Sequence, residues 1–428
     1  MSSPIPAPLR AAMTETMVPV SDLDRHEPIF PPPVTSRERL LLGEAVRTLV
    51  QLRSPATSTS EVDALLRPFL PPNRHLLLTT QGKAAFEVTV QDAELAGQSV
   101  ILPAFFPDDF VGIFRKYGIR PRFVDVNPDS YALEAERIPT QLLEECSAIV
   151  VEHTFGRPAE TAALRQLCDQ RGLLLIEDCA RSLGAGVPGH LTGTDGDYAM
   201  FSLSKVTPVR AGGAVTSRRP IDAHLAPAHL TLGGLLHSLT LIRVGALEPI
   251  AGLIYRFAKG TSVYPLEVGN YDPAPPAELD AVALFVLRAY LGQYAAAVEK
   301  RRRLAAIIRV ALEPWGYRFQ DDAPGHVYTA LSLEPPPGVE RDDLRRYLRE
   351  RGVKAPWMWE HPLGTSEIAR VEWGADTGSF PVAARLGKRL LQLPISRYQS
   401  RRETALIIRL CRAFAEEHRA PRYHLAPR

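Results

Sequence analysis

Lys205 stands in a setting that makes an amine reactive. It follows Phe201-Ser202-Leu203-Ser204 and precedes Val206-Thr207-Pro208-Val209-Arg210-Ala211-Gly212-Gly213. Serines and paired glycines on a short loop between two apolar runs describe a crowded polar pocket with little water. Desolvation lowers an amine's pKa, and an uncharged lysine is the nucleophile that condenses with carbonyl groups. A solvated surface lysine is the plainer alternative. Asp178 is the second candidate, because it closes the apolar run Leu173-Leu174-Leu175-Ile176-Glu177 and opens Cys179-Ala180-Arg181. A carboxylate buried there needs a partner, either a positive charge or the N–H groups of a following helix. Gly82 is the third, in Thr79-Thr80-Gln81-Gly82-Lys83, where a strand feeds directly into a helix. Open N–H groups at a helix start bind phosphate, although a glycine before a helix also serves a simple turn.

These residues need elements that bring them together, and the chain between 75 and 217 supplies a pattern for it. Short β-rich runs at 76–80, 99–102, 122–125, 148–152, 173–177, 198–202 and 213–216 alternate with helical stretches such as 83–95 and 159–170. That alternation predicts an α/β fold with a seven-stranded, mostly parallel sheet covered by helices on both faces. Ligands of such sheets collect at the carboxyl ends of strands, and the three candidates all follow strand ends. Further on, 277–299 reads as an amphipathic helix, and Lys300-Arg301-Arg302-Arg303 reads as its solvated continuation. The remainder predicts a smaller α+β domain, with a strand near 326–333, a helix near 342–351 and a final helix near 401–418. The expected division is an N-terminal arm at 1–35, a large domain at 36–300 and a small domain at 301–428.

Composition narrows the partners. Fifty basic and forty-eight acidic residues leave a formal charge of +2, which offers no broad footprint for nucleic acid or an anionic membrane. A small-molecule substrate is the better expectation. The N-terminus has no apolar core behind a basic start, so no secretory signal is read. The apolar stretch 230–257 is interrupted by Arg243, Glu248 and Arg256, and it reads as buried or amphipathic helices with no transmembrane segment. Cys146, Cys168, Cys179 and Cys411 are far apart and read as reduced core residues of a cytoplasmic protein. The histidines show no metal-ligand spacing.

Taken in order, Gly82, Pro103-Ala104-Phe105, Phe123-Val124-Asp125, His153-Thr154-Phe155-Gly156, Glu177-Asp178-Cys179-Ala180, Phe201-Ser202, Lys205, Gly212-Gly213, Gly269-Asn270-Tyr271, His361-Pro362-Leu363, Phe380-Pro381 and Leu393-Pro394 form a connected series. The series resembles the DegT/DnrJ/EryC1/StrS aminotransferases, a branch of the fold-type I enzymes dependent on pyridoxal 5'-phosphate, over roughly residues 75 to 415. The resemblance implies that Lys205 holds the cofactor covalently and shuttles protons, and that Asp178 pairs with the pyridine nitrogen. It implies that Ser202, with Gly82 and its neighbours, binds the phosphate. Asn270 resembles an asparagine that reaches into the partner subunit's site, which implies a homodimer with shared active sites.

Four departures from the family pattern bear on the pocket wall. Lys83 replaces the usual threonine or serine, and it either pairs with the phosphate or points away. Arg181 replaces a glutamine or histidine near the ring hydroxyl, and it either contacts the cofactor or substrate or lies on a helix surface. Pro107 stands where the stacking aromatic is usual, so Phe106, or Phe105, is the expected substitute. The arginine expected after Asn270 is missing around Tyr271-Asp272-Pro273. The lysine itself implies transamination, since dehydratase members of the family carry histidine there.

The resemblance therefore implies transfer of an amino group from an amino-acid donor, glutamate by family habit, to a ketone, most often a nucleotide-linked keto-sugar. A non-sugar natural-product or acyl-bearing ketone, or a family member without turnover, are the alternatives. Trp357, Trp359 and His361 fall where the family's small domain borders the substrate mouth.

Overall fold

The computed structural model describes residues 59–209, 211–228 and 275–418, with short pieces at 40–41, 43–44, 46–47 and 242–243. The arm at 1–35, Asn270 and nearly all of the apolar stretch 230–257 lie outside the described residues.

Seven strands form the central sheet: β1 His75–Thr79, β2 Ser99–Pro103, β3 Arg120–Val124, β4 Ala148–Glu152, β5 Leu174–Asp178, β6 Tyr198–Ser202 and β7 Gly213–Ser217. Their spatial order is β1-β7-β6-β5-β4-β2-β3. Only β7 runs against its neighbours β1 and β6, and the remaining pairs are parallel. The strands read as unbroken apolar runs because both faces are covered. Alternate residues go to different cores: Val100, Leu102, Val150, Ile176 and Met200 pack with Phe86 and Val90 of the helix Gly82–Asp92. Ile101, Ile149, Val151 and Leu175 pack on the other side with Leu164 and Cys168 of the helix Ala162–Arg171. All four cysteines are free and buried.

The expected helix at 277–299 is two helices, Ala281–Leu291 and Tyr294–Leu312, bent apart at Gly292-Gln293. Among the described residues no single helix is long and apolar enough to cross a membrane. Residue 300, the expected domain boundary, lies inside the second helix. Tyr294, Ala297 and Val298 join one core, and Leu304, Ala305, Ile308 and Leu312 join another. The basic run there is not uniformly solvated: Arg301 is buried, with its guanidinium over the Tyr294 ring.

The C-terminal part carries a second sheet, β8 Arg318–Phe319, β9 Leu331–Glu334 and β10 Leu391–Leu393. The strand expected from 326 begins only at 331, since His326 stacks on Tyr328 in the preceding turn. The helices Arg341–Glu350 and Arg401–Glu417 match expectation, and the second opens with a capping box of Ser400 and Glu403. This part of the chain also feeds the first core, where Leu363, Ala369, Phe380, Ala383, Leu386 and Leu390 pack beside the sheet. Asp125, just past β3, accepts the N–H groups of Val382 and Ala383 at 2.8 and 2.9 Å, so it caps the helix Pro381–Arg389. A second docking contact comes from Leu363 and Gly364, whose N–H groups donate to the carbonyls of Phe106 and Ala104 at 2.8 and 3.0 Å.

Candidate active site

The carboxyl ends of β4, β5 and β6 converge on one group of charges. Glu152 pairs in register with Asp178, so the last residues of β4 and β5 lie side by side, and Asp178 is in turn opposite Met200, two residues before the end of β6. Asp178 Oδ1 accepts the N–H of Ala180 at 2.8 Å. Burial raises its carboxyl above the ordinary aspartate value, with Lys205 opposing that rise. A cationic ring nitrogen is the kind of partner that such a carboxylate lacks.

Lys205 does not sit on an irregular loop as expected. It lies on a helical turn, Leu203–Val206, closed by the N–H and the hydroxyl of Thr207, which both donate to the Leu203 carbonyl at 2.8 and 2.7 Å. Its side chain is accessible but ringed by protein, as a group at the floor of a cleft would be. Desolvation and the charge of Arg181 lower the amine's pKa, and Asp178, Asp109 and Glu152 pull the other way. Among the described residues Lys205 forms no ion pair, so the amine and the Asp178 carboxylate face each other without closing on one another.

Beside them is a cradle. Gly82 opens the helix Gly82–Asp92, whose N-cap Gln81 contributes no side-chain hydrogen bond. A Cβ at Gly82 would lie 2.8 Å from Ser202 Cβ and 3.1 Å from its Oγ, so only glycine lets the helix start approach the serine this closely. The Ser202 hydroxyl is also 3.3 Å from that of Ser204. Gly213 holds the arrangement from behind, since a Cβ there would strike the Gln81 carbonyl oxygen at 2.2 Å. Backbone N–H groups and a hydroxyl around a space kept free of side chains suit a phosphate.

The remaining expected residues divide. Arg181 is at the site: its Nη2 lies 3.5 Å from Met358 Sδ, and burial lowers its pKa against the pull of Glu152 and Asp178. Lys83 reaches toward Asp109, with Nζ 3.9 Å from Oδ1. Phe106 has no accessible surface, and its ring stacks on Phe110 at 5.2 Å. Phe105 is equally enclosed, edge-on to Trp359, which in turn stacks on Phe155 at 5.4 Å. Trp357 lies under Arg345, whose guanidinium is 3.8 Å from the ring centre.

His153, Glu177 and Cys179 cluster behind the site at metal-ligand spacing. Hydrogen bonds already account for the first two. The Ala159 N–H donates to His153 Nδ1 at 2.9 Å, which leaves Nε2–H to donate to Glu177 at 2.8 Å. Glu177 also accepts the N–H groups of Gly193 and Gly196, and these bonds hold its carboxyl below the ordinary value despite burial. The pair braces the strand ends.

Two groups at the site were given no role by sequence reasoning. Asp109 is coupled electrostatically to both Lys205 and Arg181. Glu152 is buried among Asp178, Lys205 and Arg181, and its signal was present as a lone acid closing the apolar run Ala148–Val151.

The geometry has counterparts. The chain is 28% identical over 292 residues to a dTDP-3-amino-3,4,6-trideoxy-alpha-D-glucose transaminase of Micromonospora megalomicea subsp. nigra, covering 65% of this chain and 68% of that one. Its fold matches DesI, solved in the presence of its TDP-sugar product, with a TM-score of 0.69 at 21% identity over 92% of this chain and 96% of that one. A Streptococcus pneumoniae protein assigned as a sugar aminotransferase, in its PLP form, matches with a TM-score of 0.67 at 16% identity over 92% and 99% of the two chains. At such identities the two structural matches speak for the fold. The model of the DegT/DnrJ/EryC1/StrS aminotransferase family matches residues 50–233, which hold all seven strands, the cradle, Asp178 and Lys205.

Proposed function

We propose that the protein is a pyridoxal-phosphate-dependent aminotransferase that moves an amino group from an amino acid, glutamate in our reading, to the ketone of a nucleotide-linked sugar. It works as a cytoplasmic homodimer with shared sites. One observation carries the reading: an amine of lowered pKa and a buried carboxylate face each other at the ends of adjacent strands without pairing, next to an open helix start. The residues suit the cofactor. Lys205 would hold its aldehyde carbon, Asp178 its ring nitrogen, and Ser202 with the Gly82 and Lys83 N–H groups its phosphate. When bound, the cofactor supplies a protonated aromatic ring that disperses the charge left as a proton departs from carbon.

The chain does the rest. Asp178 keeps the proton on the ring nitrogen, which an ionised carboxylate does and an amide does not. Lys205, uncharged more readily than an ordinary lysine, would take the proton from the carbon that bears the amino group and deliver it across the nitrogen to the carbon that came from the cofactor's aldehyde, as base and then acid. Arg181 favours that uncharged form by repulsion. The sugar-linked acceptor is supported by relatives that act on nucleotide sugars, including the dTDP-sugar transaminase.

The test begins with purified protein and pyridoxal phosphate. Borohydride should fix the cofactor to the peptide containing Lys205, and Lys205→Ala should abolish that mass. Glutamate should then shift the absorption band, and a panel of dTDP- and UDP-keto-sugars against simple ketones should restore it. A trapped adduct on another lysine overturns the site. A band that no amino donor alters overturns the transaminase reading and leaves a cofactor-binding protein without turnover.

A further inference from the structure

Glu152 closes β4 with 4% of its surface exposed, in register with Asp178 on β5. Residues in register on parallel strands project to the same face, so two carboxyl groups emerge next to one another. Asp178 has the Ala180 N–H to stabilise its charge, whereas Glu152 Oε2 is buried with no hydrogen-bond partner. The Nε of Arg181 is buried without a partner as well. The charged groups facing Glu152 are Asp178, Lys205 and Arg181. Two dry carboxyls this close do not both ionise. The one with the N–H donor keeps the charge and the other keeps the proton. Burial first, and repulsion by Asp178 second, push the Glu152 carboxyl well above the ordinary range, in the same direction.

A protonated carboxyl and a guanidinium N–H are both donors, so what they lack is an accepting oxygen. The aromatic ring placed with its nitrogen at Asp178 carries one, its hydroxyl oxygen, which is anionic in the reactive form. We propose that Glu152 is a further cofactor-contacting residue: an uncharged carboxylic acid beside Asp178 that donates, together with Arg181 Nε–H, a hydrogen bond to the ring oxygen. This rests on the cofactor reading above and deepens it. The pair occupies one edge of the ring, with the positive group limiting the proton affinity of the oxygen and the neutral group adding a bond without adding charge.

The experiment pairs a side chain with a ligand atom. Affinities for pyridoxal phosphate and for its analogue lacking the ring hydroxyl are measured on the native protein, Glu152→Gln and Glu152→Leu. Glu152→Leu is expected to weaken pyridoxal phosphate about tenfold or more, the scale of a lost hydrogen bond to a charged group, and to leave the analogue unchanged. Glu152→Gln, which keeps an N–H donor, should stay within about threefold of native for both ligands on the same scale. Infrared spectra of the native protein should show an un-ionised carboxyl stretch that Glu152→Gln removes, a readout that needs no turnover and holds even if the leucine variant does not fold. Equal weakening of both ligands, no weakening, or no un-ionised carboxyl overturns the inference while the Lys205 adduct still forms. Absence of that adduct in native protein overturns the cofactor reading instead.

Discussion

Gly82→Ala probes the cradle most directly. The added methyl would sit 2.8 Å from Ser202 Cβ and 3.3 Å from Ser202 Cα. Both atoms are tied to the backbone of a central strand, so no flexible side-chain end can swing aside. Overpacking of this kind costs about 1–3 kcal/mol, and alanine's better helix propensity returns roughly 0.5–1 kcal/mol. The clash wins on balance, and melting should fall by a few degrees, at about 2–4 °C per kcal/mol for a unit of this size. Affinity for pyridoxal phosphate should fall further, because the helix start must back away from the serine that completes the cradle. Losing the alignment of one charge-assisted hydrogen bond, worth about 1.5–3 kcal/mol, corresponds to roughly ten- to hundredfold in Kd. Ser202→Gly removes the obstructing Cβ. The double variant Gly82→Ala/Ser202→Gly should therefore recover melting temperature relative to Gly82→Ala, yet bind cofactor weakly, since the hydroxyl is gone. Calorimetry and absorbance titration on the four proteins read both quantities. A Gly82→Ala protein with native melting and native affinity, or a double variant that melts no higher than Gly82→Ala, would refute the close approach.

Three further outcomes follow from the same geometry. Lys205→Met should stabilise the protein without cofactor at neutral pH: the folded amine has a lowered pKa, the unfolded chain binds the proton better, and native stability therefore rises with pH. Its advantage over native should shrink as pH climbs toward 10.5, the ordinary lysine value, and an advantage that grows with pH contradicts the assignment. Asp125→Ala removes the acceptor of two N–H groups at the helix Pro381–Arg389 and should cost about 1–2 kcal/mol in denaturant melts, with cofactor affinity untouched. Burial pushes the thiols of Cys168 and Cys411 up to about 12 and that of Cys146 to about 11, so a thiol reagent at mildly alkaline pH should label none of them until denaturant is added. Prompt labelling of the native protein counts against that packing.

The central strands were legible in the chain because burial on both faces leaves unbroken apolar runs, and a run such as Ala148–Val151 needs no knowledge of its neighbours to be recognised. Asp178 and Lys205 were legible for a related reason, since polar residues that end such runs fall at the ligand-binding edge of a parallel sheet. Partnership was a different matter. Nothing local in Gly213–Ser217 says that it inserts antiparallel between β1 and β6, yet that insertion is what draws Gly82 against Ser202. Phe105 and Phe106 are adjacent aromatics with the same chemistry, and packing alone decided that both are enclosed in the core. Glu152 showed as an acid in an apolar context, but its closeness to Asp178 is a matter of inter-strand register. Periodicity records which face of an element is buried. What that face meets is settled by contacts between distant parts of the chain competing for the same buried surface, and only the folded molecule records the result.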